Sequence, residues 1–471
     1  MKTMAQLLLA LLLPLSPVRA GQEPPPLHLG ELLRAALAHD GRVLAANAQL
    51  DVYRARFKEA RWAWFPRLRL QGLFGGPVGE RRLACNPDSD PGCTGLEVTE
   101  ASKTGDFEFG KMSFALGGKL EGVLPIYTFG KIDAARRAAA AGVEAGSAGI
   151  RQARQQVALE VRRAYWAWLV ASRSVEVLED SQRKITSAEK KLLKMLDELN
   201  EEVTDRDLFK LRYYAAQLDT LLEQSRQGRA GILSALRFLT GIEQLGRGRE
   251  LAWREIALPA EQPPELPRLL EQARRQRPEL LMLAAGVEAG KAAVEVARAR
   301  FWPDFFLAGY VQGSWSPVQD YITNPLLSPG LTNYDAALAV GFRIELDVPQ
   351  KLAQLERARA ELARVQAQAN QAGQAITLQV ERAWQAVRTA RARWRVQRRA
   401  LRAAKAWMRA NLMSYGVGVF DTKDLLDSIA AHAKATIESS RVHHDLAVAM
   451  DELRLAVGED LGQPPAEELQ P

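Results

Sequence analysis

Proline is missing from two long parts of this sequence, residues 126–258 and 350–463, although the chain has 23 prolines. A proline inside a helix costs about 3 kcal/mol or more, so its absence over such lengths favours long helices. Both tracts are also rich in strong helix formers, mainly alanine, leucine, arginine, glutamate and glutamine. We therefore predict two long helical hairpins, over residues 130–241 and 350–458, with tips near residues 201–205 and 416–422.

Long apolar runs are also missing, because no stretch of 18 apolar residues follows residue 20. The sequence thus offers no helix that could span a membrane, and any membrane crossing would have to use strands. Residues 1–20 are different: Lys2 precedes an apolar core, and Val18-Arg19-Ala20 resembles a cleavage site. This pattern predicts a secretory signal peptide and export from the cytoplasm.

Cysteine is scarce, since Cys85 and Cys93 are the only two in the chain. They lie close together in the polar stretch ACNPDSDPGCTG, which is typical of a loop. In an exported protein such a pair predicts a disulfide. The alternative is two free thiols in the same loop.

Motifs of catalysis are absent as well: there is no nucleotide loop, no zinc-ligand spacing and no pairing of a nucleophile with a base. We therefore expect no enzymatic activity, no cofactor and no metal site. The net charge of +7 is small for 471 residues and does not by itself indicate nucleic acid as a partner. The arginine-rich stretch at 391–402 is interpreted as a basic helix face paired with neighbouring helices.

Four short segments show the two-residue alternation of β-strands, and they lie at about 67–76, 111–123, 305–315 and 337–346. The last one places apolar residues on one face, namely Leu338, Val340, Phe342, Ile344 and Leu346. Its other face is small or charged. This pattern is typical of a barrel strand between lipid and a water-filled lumen. The alternative is a soluble sandwich with its apolar face inward. Aromatic residues near the segment ends, Tyr310 among them, suit a belt at the membrane interface.

The sequence is also duplicated. Ala60, Arg61, Pro66, Leu70 and Gly72 recur 237 positions later, as Ala297, Arg298, Pro303, Leu307 and Gly309. We predict a signal peptide at 1–20, a first repeat at 21–258, a second repeat at 259–460 and a tail at 461–471. Each repeat is expected to contain a helix, two strands and a long helical hairpin. Because four strands do not close a barrel, several chains must assemble.

These features together resemble the TolC-like family of outer-membrane efflux channels. The resemblance spans residues 27 to 460. It is carried by ARWAWFPRLRLQG and ARARFWPDFFLAG before the strands, LEGVLPIYTFGKIDAARRA after them, and SYGVGVFDTKDLLDS at a hairpin tip. It implies a mainly α-helical homotrimer with a 12-stranded barrel in the outer membrane, continued by a helical tunnel in the periplasm. It also implies three partners: a periplasmic adaptor protein, an inner-membrane pump and outer-membrane lipid.

The resemblance also implies functional positions. A gate at the inner end of the tunnel is expected at Tyr415, Phe420, Asp424 and Asp427. The hairpin tips expected to dock the adaptor contain Val203, Asp207, Gly418 and Val419. Two positions depart from the family pattern, because Phe420 stands where arginine is common and Glu201 where glycine is usual.

Two functional hypotheses follow. The first is an exit channel for small molecules or proteins, and the sequence does not separate these two kinds of cargo. The second is a coiled-coil rod in the periplasm or at the cell surface, with a structural or adhesive role. Alternating strands favour the channel, because a rod has no use for them.

Overall fold

The computed structural model describes residues 26–78, 113–198, 204–252, 264–317, 333–416 and 422–463. Within these ranges the chain forms helices and a small group of strands in a repeated order. The first repeat contains α1 (Leu29–His39), α2 (Gly41–Arg61), β1 (Arg67–Val78), β2 (Ser113–Tyr127), α3 (Lys131–Asp197) and α4 (Asp205–Thr240). The second contains α5 (Leu266–Gln276), α6 (Pro278–Ala299), β3 (Asp304–Trp315), β4 (Asn333–Arg343), α7 (Val348–Gly416) and α8 (Thr422–Val457).

Each repeat starts with two helices, and the expectation of a single helix there was wrong. The first break is at Asp40, whose backbone is extended and whose carboxylate accepts a hydrogen bond from the Arg42 N–H at 2.8 Å. The second break is at Arg277, also extended, directly before Pro278. A residue before proline is disfavoured in the helical conformation. The Asp40-Gly41 and Arg277-Pro278 dipeptides were therefore the sequence signals for both breaks.

The chain divides into two compact units. One consists of Leu50–Gly146 and Met282–Asn370 and contains the strands. Its four strands form one antiparallel sheet in the order β1-β2-β3-β4. The fourth strand spans Asn333–Arg343 and not the predicted 337–346. It ends at Arg343 because this residue pairs with Asp304, the first residue of β3, so that later residues have no partner strand.

Close helix contacts complete this unit. Gly142 and Gly146 of α3 lie against the Tyr53 ring of α2, and a β-carbon at Gly146 would come within 2.8 Å of that ring. Lys131 at the start of α3 forms an ion pair with Asp304 of β3 at 2.7 Å. The ion pair joins α3 to the sheet, and the glycine contacts join α3 to α2.

The other unit consists of the described parts of Met1–Gln49, Ser147–Leu281 and Gln371–Pro471. Its main apolar core packs α1 against α3 and α4, through residues such as Leu29, Leu32, Val157, Val161 and Leu236. A second core packs α5 against α7 and α8 in the same way, through residues such as Leu269, Ala273, Val380, Leu446 and Leu453. The duplication in the sequence is thus a duplication of packing.

Both hairpins end on a glycine that the fold requires. Gly241 follows α4 with φ 70°, and its N–H donates to the Arg237 carbonyl at 2.8 Å. Gly458 follows α8 with φ 86°. A side chain is strained in this left-handed conformation, and a β-carbon at either position would also collide with a neighbouring residue. This explains why LRFLTG and LRLAVG both end on glycine.

Candidate functional site

The sheet has one apolar face that is exposed within the chain. It is formed by alternate residues of all four strands, including Leu68, Leu70, Phe74, Leu120, Val311, Leu338, Val340 and Phe342. Leu338, for example, is 74 % exposed. Apolar side chains at this density are costly in water, and they suit contact with lipid.

The opposite face carries a polar network across the strands. Glu121 forms ion pairs with Arg69 at 3.0 Å and with Lys119 at 3.2 Å. On the next strands the Tyr310 hydroxyl donates to Asp335 at 2.6 Å. Such a face requires water, so the two sides of the sheet fit different solvents. Tyr310 therefore belongs to the polar face, and its assignment to an interfacial aromatic belt was wrong.

Other aromatic residues do cluster at the helix-side end of the sheet. The Phe129 ring stacks on Trp302 with centroids 5.1 Å apart, and Tyr127 meets Phe129 edge-on at 4.7 Å. Phe129 has φ 49°, an unusual backbone conformation for a residue with a side chain. The ring contacts offset the cost of that conformation, and they place the aromatic side chains where strands change to helices.

Near the predicted tips, the two helical hairpins share an apolar cluster. It contains Ile185 and Ala188 of α3, Leu211 of α4, Met408 and Tyr415 of α7, and Leu425, Leu426 and Ile429 of α8. Tyr415, a predicted gate residue, is only 5 % exposed. Burial raises the pKa of its hydroxyl above the usual value, and the Asp207 carboxylate raises it further. The hydroxyl therefore stays protonated as a hydrogen-bond donor.

Hydrogen bonds join Tyr415 to α3. Its hydroxyl donates to the Ala188 carbonyl at 3.4 Å, and its own carbonyl accepts a hydrogen bond from the Lys191 ammonium at 2.5 Å. The Lys191 nitrogen also lies 5.4 Å from the centroid of the Tyr415 ring. Sequence reasoning missed Lys191, and no local signal could have found it because its partner is 224 residues away.

Asp207, predicted at a docking tip, caps α4. Its carboxylate accepts hydrogen bonds from the Thr204 hydroxyl at 2.9 Å and from the Thr204 N–H at 3.3 Å. The Thr204 side chain in turn accepts a hydrogen bond from the Asp207 N–H, and this reciprocal pair of bonds is the capping box that fixes the first turn of a helix. Lys210 lies 3.6 Å from the same carboxylate. Asp207 thus stabilises the first turn of α4.

Asp424 and Asp427, the predicted gate acids, lie in the first two turns of α8. Their spacing of three residues puts them on the same side of the helix. Asp424 is exposed and Asp427 is half-buried. The Asp424 carbonyl accepts a hydrogen bond from the Asn411 amide at 2.9 Å, which joins α8 to α7 beside these acids. Negative charge is also favourable at a helix N-terminus, so these two acids can stabilise the start of α8 and also serve in the predicted gate.

Several predicted positions lie outside the described residues. They are Val203, Gly418, Val419 and Phe420 at the tips, Cys85 and Cys93 in the first inter-strand connection, and the predicted signal peptide at 1–20.

The basic stretch at 391–402 lies on α7, where Arg398 lies over the Trp394 ring, 4.8 Å from its centroid. Among the helices described, none is both long enough and apolar enough to cross a membrane. The described residues also contain no group of three potential metal ligands among histidine, cysteine and acidic side chains.

Comparison with known proteins identifies the chain. The sequence profile of the outer membrane efflux protein family matches residues 32–190 and 269–459, one segment in each repeat. The chain belongs to this family. It is thus an outer-membrane efflux channel that extends into the periplasm, in a family of channels and not of enzymes. A search of curated protein sequences found no match.

Solved structures show the same fold at low sequence identity. The CmeC outer membrane channel of Campylobacter jejuni is 14 % identical, with a TM-score of 0.71 over 94 % of this chain and 88 % of CmeC. The outer membrane protein VceC of Vibrio cholerae is 18 % identical, with a TM-score of 0.69 over 92 % of this chain and 96 % of VceC. The MtrE outer membrane channel of Neisseria gonorrhoeae, in its open state, is 18 % identical, with a TM-score of 0.67 over 92 % of this chain and 89 % of MtrE.

Proposed function

We propose that three copies of this chain form one exit duct, with a single barrel in the outer membrane and a helical tunnel in the periplasm. The observation that carries this proposal is the sheet. Within the described residues β1 and β4 each pair with a neighbouring strand on one side only, so both edges of the sheet are open. One face of this sheet is apolar and suits a membrane. A membrane does not tolerate open strand edges, because unpaired backbone groups have no water to bond.

The strand directions support closure by further copies. In the order β1-β2-β3-β4 with all pairs antiparallel, β1 and β4 run in opposite directions. The β4 strand of one copy therefore fits beside the β1 strand of the next in the same antiparallel pattern. Two copies would give about eight strands, a barrel whose interior is filled by side chains. Three copies give twelve strands and an open lumen for the polar face around Arg69, Glu121 and Asp335.

At the periplasmic end, Asp424 and Asp427 from three copies would place six carboxylates around one axis. Such a ring favours cations and binds multivalent ones. Tyr415 supports this gate from its buried position, and Phe420 is assigned to the same constriction. The tips with Val203, Asp207, Gly418 and Val419 are assigned to an adaptor protein, which couples the duct to an inner-membrane pump. The pump selects the cargo, either small molecules or proteins.

Planar bilayers test this proposal. Purified protein in detergent should have the mass of three chains and should form cation-preferring channels that multivalent cations block. Changing Asp424→Asn and Asp427→Asn together should reduce both the cation preference and the block. Glu438→Gln, about three turns further along α8, is the matched control and should change neither. A monomeric mass would refute the duct. Unchanged selectivity and block in the double variant would refute the gate alone.

A further inference from the structure

The positive charge of this chain is concentrated on one part of α7. Residues 382–409 contain ten lysines and arginines and no aspartate or glutamate. The rest of the chain has 53 basic and 56 acidic residues, so without this segment the net charge would be negative. Charge of one sign on one helix creates a local field that attracts a partner of opposite charge.

Seven of these residues form one continuous row along the helix. They follow each other at alternating steps of three and four residues, a spacing that keeps side chains on one side of a helix. We call this row the basic stripe, and its members are Arg388, Arg391, Arg395, Arg398, Arg402, Lys405 and Arg409. It is about 30 Å long, at 1.5 Å per residue. Arg391 is half-buried, and the other six residues are exposed.

The packing of α7 fixes the direction of the basic stripe. Each stripe residue directly follows a residue on the packed side of the helix, and none of those seven preceding residues is exposed. Val387 and Ala390, for example, are buried against α5 and α8. Consecutive residues of a helix are about 100° apart, so the stripe lies beside the packed side over its whole length.

Tryptophan rings hold two of the guanidinium groups in place. Arg388 lies over the Trp384 ring, 4.7 Å from its centroid, in the same way as Arg398 lies over Trp394. A guanidinium that stacks on a ring keeps the N–H groups at its edge for a carboxylate, which it can bind with two hydrogen bonds. These arginines are thus ordered before a ligand binds, and this lowers the entropy cost of binding.

Acids of the same chain do not match the basic stripe. No stripe residue has an acid three or four residues away, the usual position of a partner on a helix. On α8, Glu438 pairs with Arg441, and Asp445 pairs with His444. A second copy of the chain offers no complementary row either, because no described helix has acids at more than two successive positions of this spacing.

We propose that the basic stripe binds a linear polyanion of the periplasm, the carboxylate-bearing glycan–peptide polymer of the cell wall, and so attaches the channel to it. The stripe begins 40 residues after the start of α7 and lies in the unit without strands, so lipid headgroups beside the sheet are not its ligand. Its seven positions include no apolar residue on which a partner helix could pack. Charge alone therefore carries the contact, as a polyanion requires.

Co-sedimentation with purified cell-wall sacculi tests this inference. The full chain in a non-ionic detergent should sediment with sacculi, and less of it should do so when the salt is raised from about 0.05 to about 0.5 M. Sacculi whose carboxylates are blocked as amides should not bind it. The test variant combines Arg395→Gln, Arg398→Gln and Arg402→Gln. Its affinity should be about tenfold lower, because each exposed charge contact is worth a factor of about two.

The matched control combines Arg382→Gln, Arg393→Gln and Arg399→Gln. These changes remove the same charge from exposed positions of the same helix, but outside the basic stripe. The control should bind within about twofold of the wild type. Equal losses in the two triple variants would show that net charge alone decides, and they would overturn the inference. Binding that survives the carboxylate block would overturn it as well.

Two other locations of the basic stripe give different results with the same test variant. A stripe that lines the lumen would leave sacculus binding unchanged and alter the ion preference in planar bilayers. A stripe between copies of the chain would leave the variant with a smaller mass in detergent than the wild type. Either result would overturn the inference. A monomeric wild type that binds sacculi through the stripe would instead refute the proposed duct and support this inference.

Discussion

Asp451 of α8 and Arg162 of α3 form a buried ion pair at 3.4 Å, and their side chains are only 5 % and 2 % exposed. The Trp166 indole also donates to the Asp451 carboxylate, at 2.9 Å. Arg162 donates further to the carbonyls of Leu461 and Gln463, at 3.0 and 2.6 Å. One guanidinium therefore joins α3, α8 and the segment that follows α8.

Removing one partner of this pair should be costly. Arg162→Met removes the closer guanidinium from the buried Asp451 charge and leaves only that of Arg454, at 3.8 Å. The loss of unfolding free energy should therefore approach about 3–5 kcal/mol, the value typical of a broken buried pair. We expect a clearly lower unfolding temperature in detergent, followed by circular dichroism. The matched control is Arg163→Met, because Arg163 pairs with Glu452 on the exposed side of the same helices. That variant should lose at most about 1 kcal/mol. Equal losses in the two variants would contradict the role assigned to the buried pair.

The two faces of the sheet give a second prediction. Leu338→Lys puts a charge on the apolar face, where it would cost about 2–4 kcal/mol near the middle of a membrane. Ala337→Lys puts the same charge on the polar face, opposite Tyr310 and two residues from Asp335. Outer-membrane fractions should contain much less of the Leu338 variant and normal amounts of the Ala337 variant. The reverse result would show that the faces are assigned the wrong way round.

The helices and strands were predictable from the sequence wherever the residue types alone determine the local structure. The proline-free tracts predicted the long helices, and the alternation around Leu338 predicted the two-faced strands. Features that depend on a partner were not predictable in this way. The end of β4 at Arg343 is set by the start of β3 at Asp304. The contact of Lys191 with Tyr415 depends on how two long helices are aligned.

The connection between β1 and β2 contains the only cysteines of the chain, Cys85 and Cys93, and it lies outside the described residues. Their closeness in an exported chain still predicts a disulfide. Peptide mapping by mass spectrometry without reduction should show one cross-linked peptide. The Cys85→Ser, Cys93→Ser double variant should conduct like wild type, because the loop is expected outside the barrel. Two free thiols in freshly exported protein would contradict the disulfide.

His432 of α8 should make the stability of the protein sensitive to acid. Burial lowers the pKa of this imidazole below its usual value, and nearby positive charges lower it further. These charges are Lys184 and Arg173 of α3 and Lys405 and Arg409 of α7. In the unfolded chain the pKa is about 6.5. Between that value and the lowered one, the unfolded state binds a proton that the folded state does not, so stability falls as the pH falls.

The measurement is the unfolding temperature of the detergent-purified protein at several pH values between about 7.5 and 5.5, a range that spans the ordinary histidine pKa. The unfolding temperature of the wild type should fall as the pH falls below about 6.5. Above that value, His432 should contribute little to any change in it. His432→Gln should lose less over the same range, because a neutral amide does not titrate. The control is His39→Gln, an exposed histidine in the same unit, which should follow the wild type. If His432→Gln and the wild type lose stability in parallel, the surrounding cations do not act on His432 as this geometry requires.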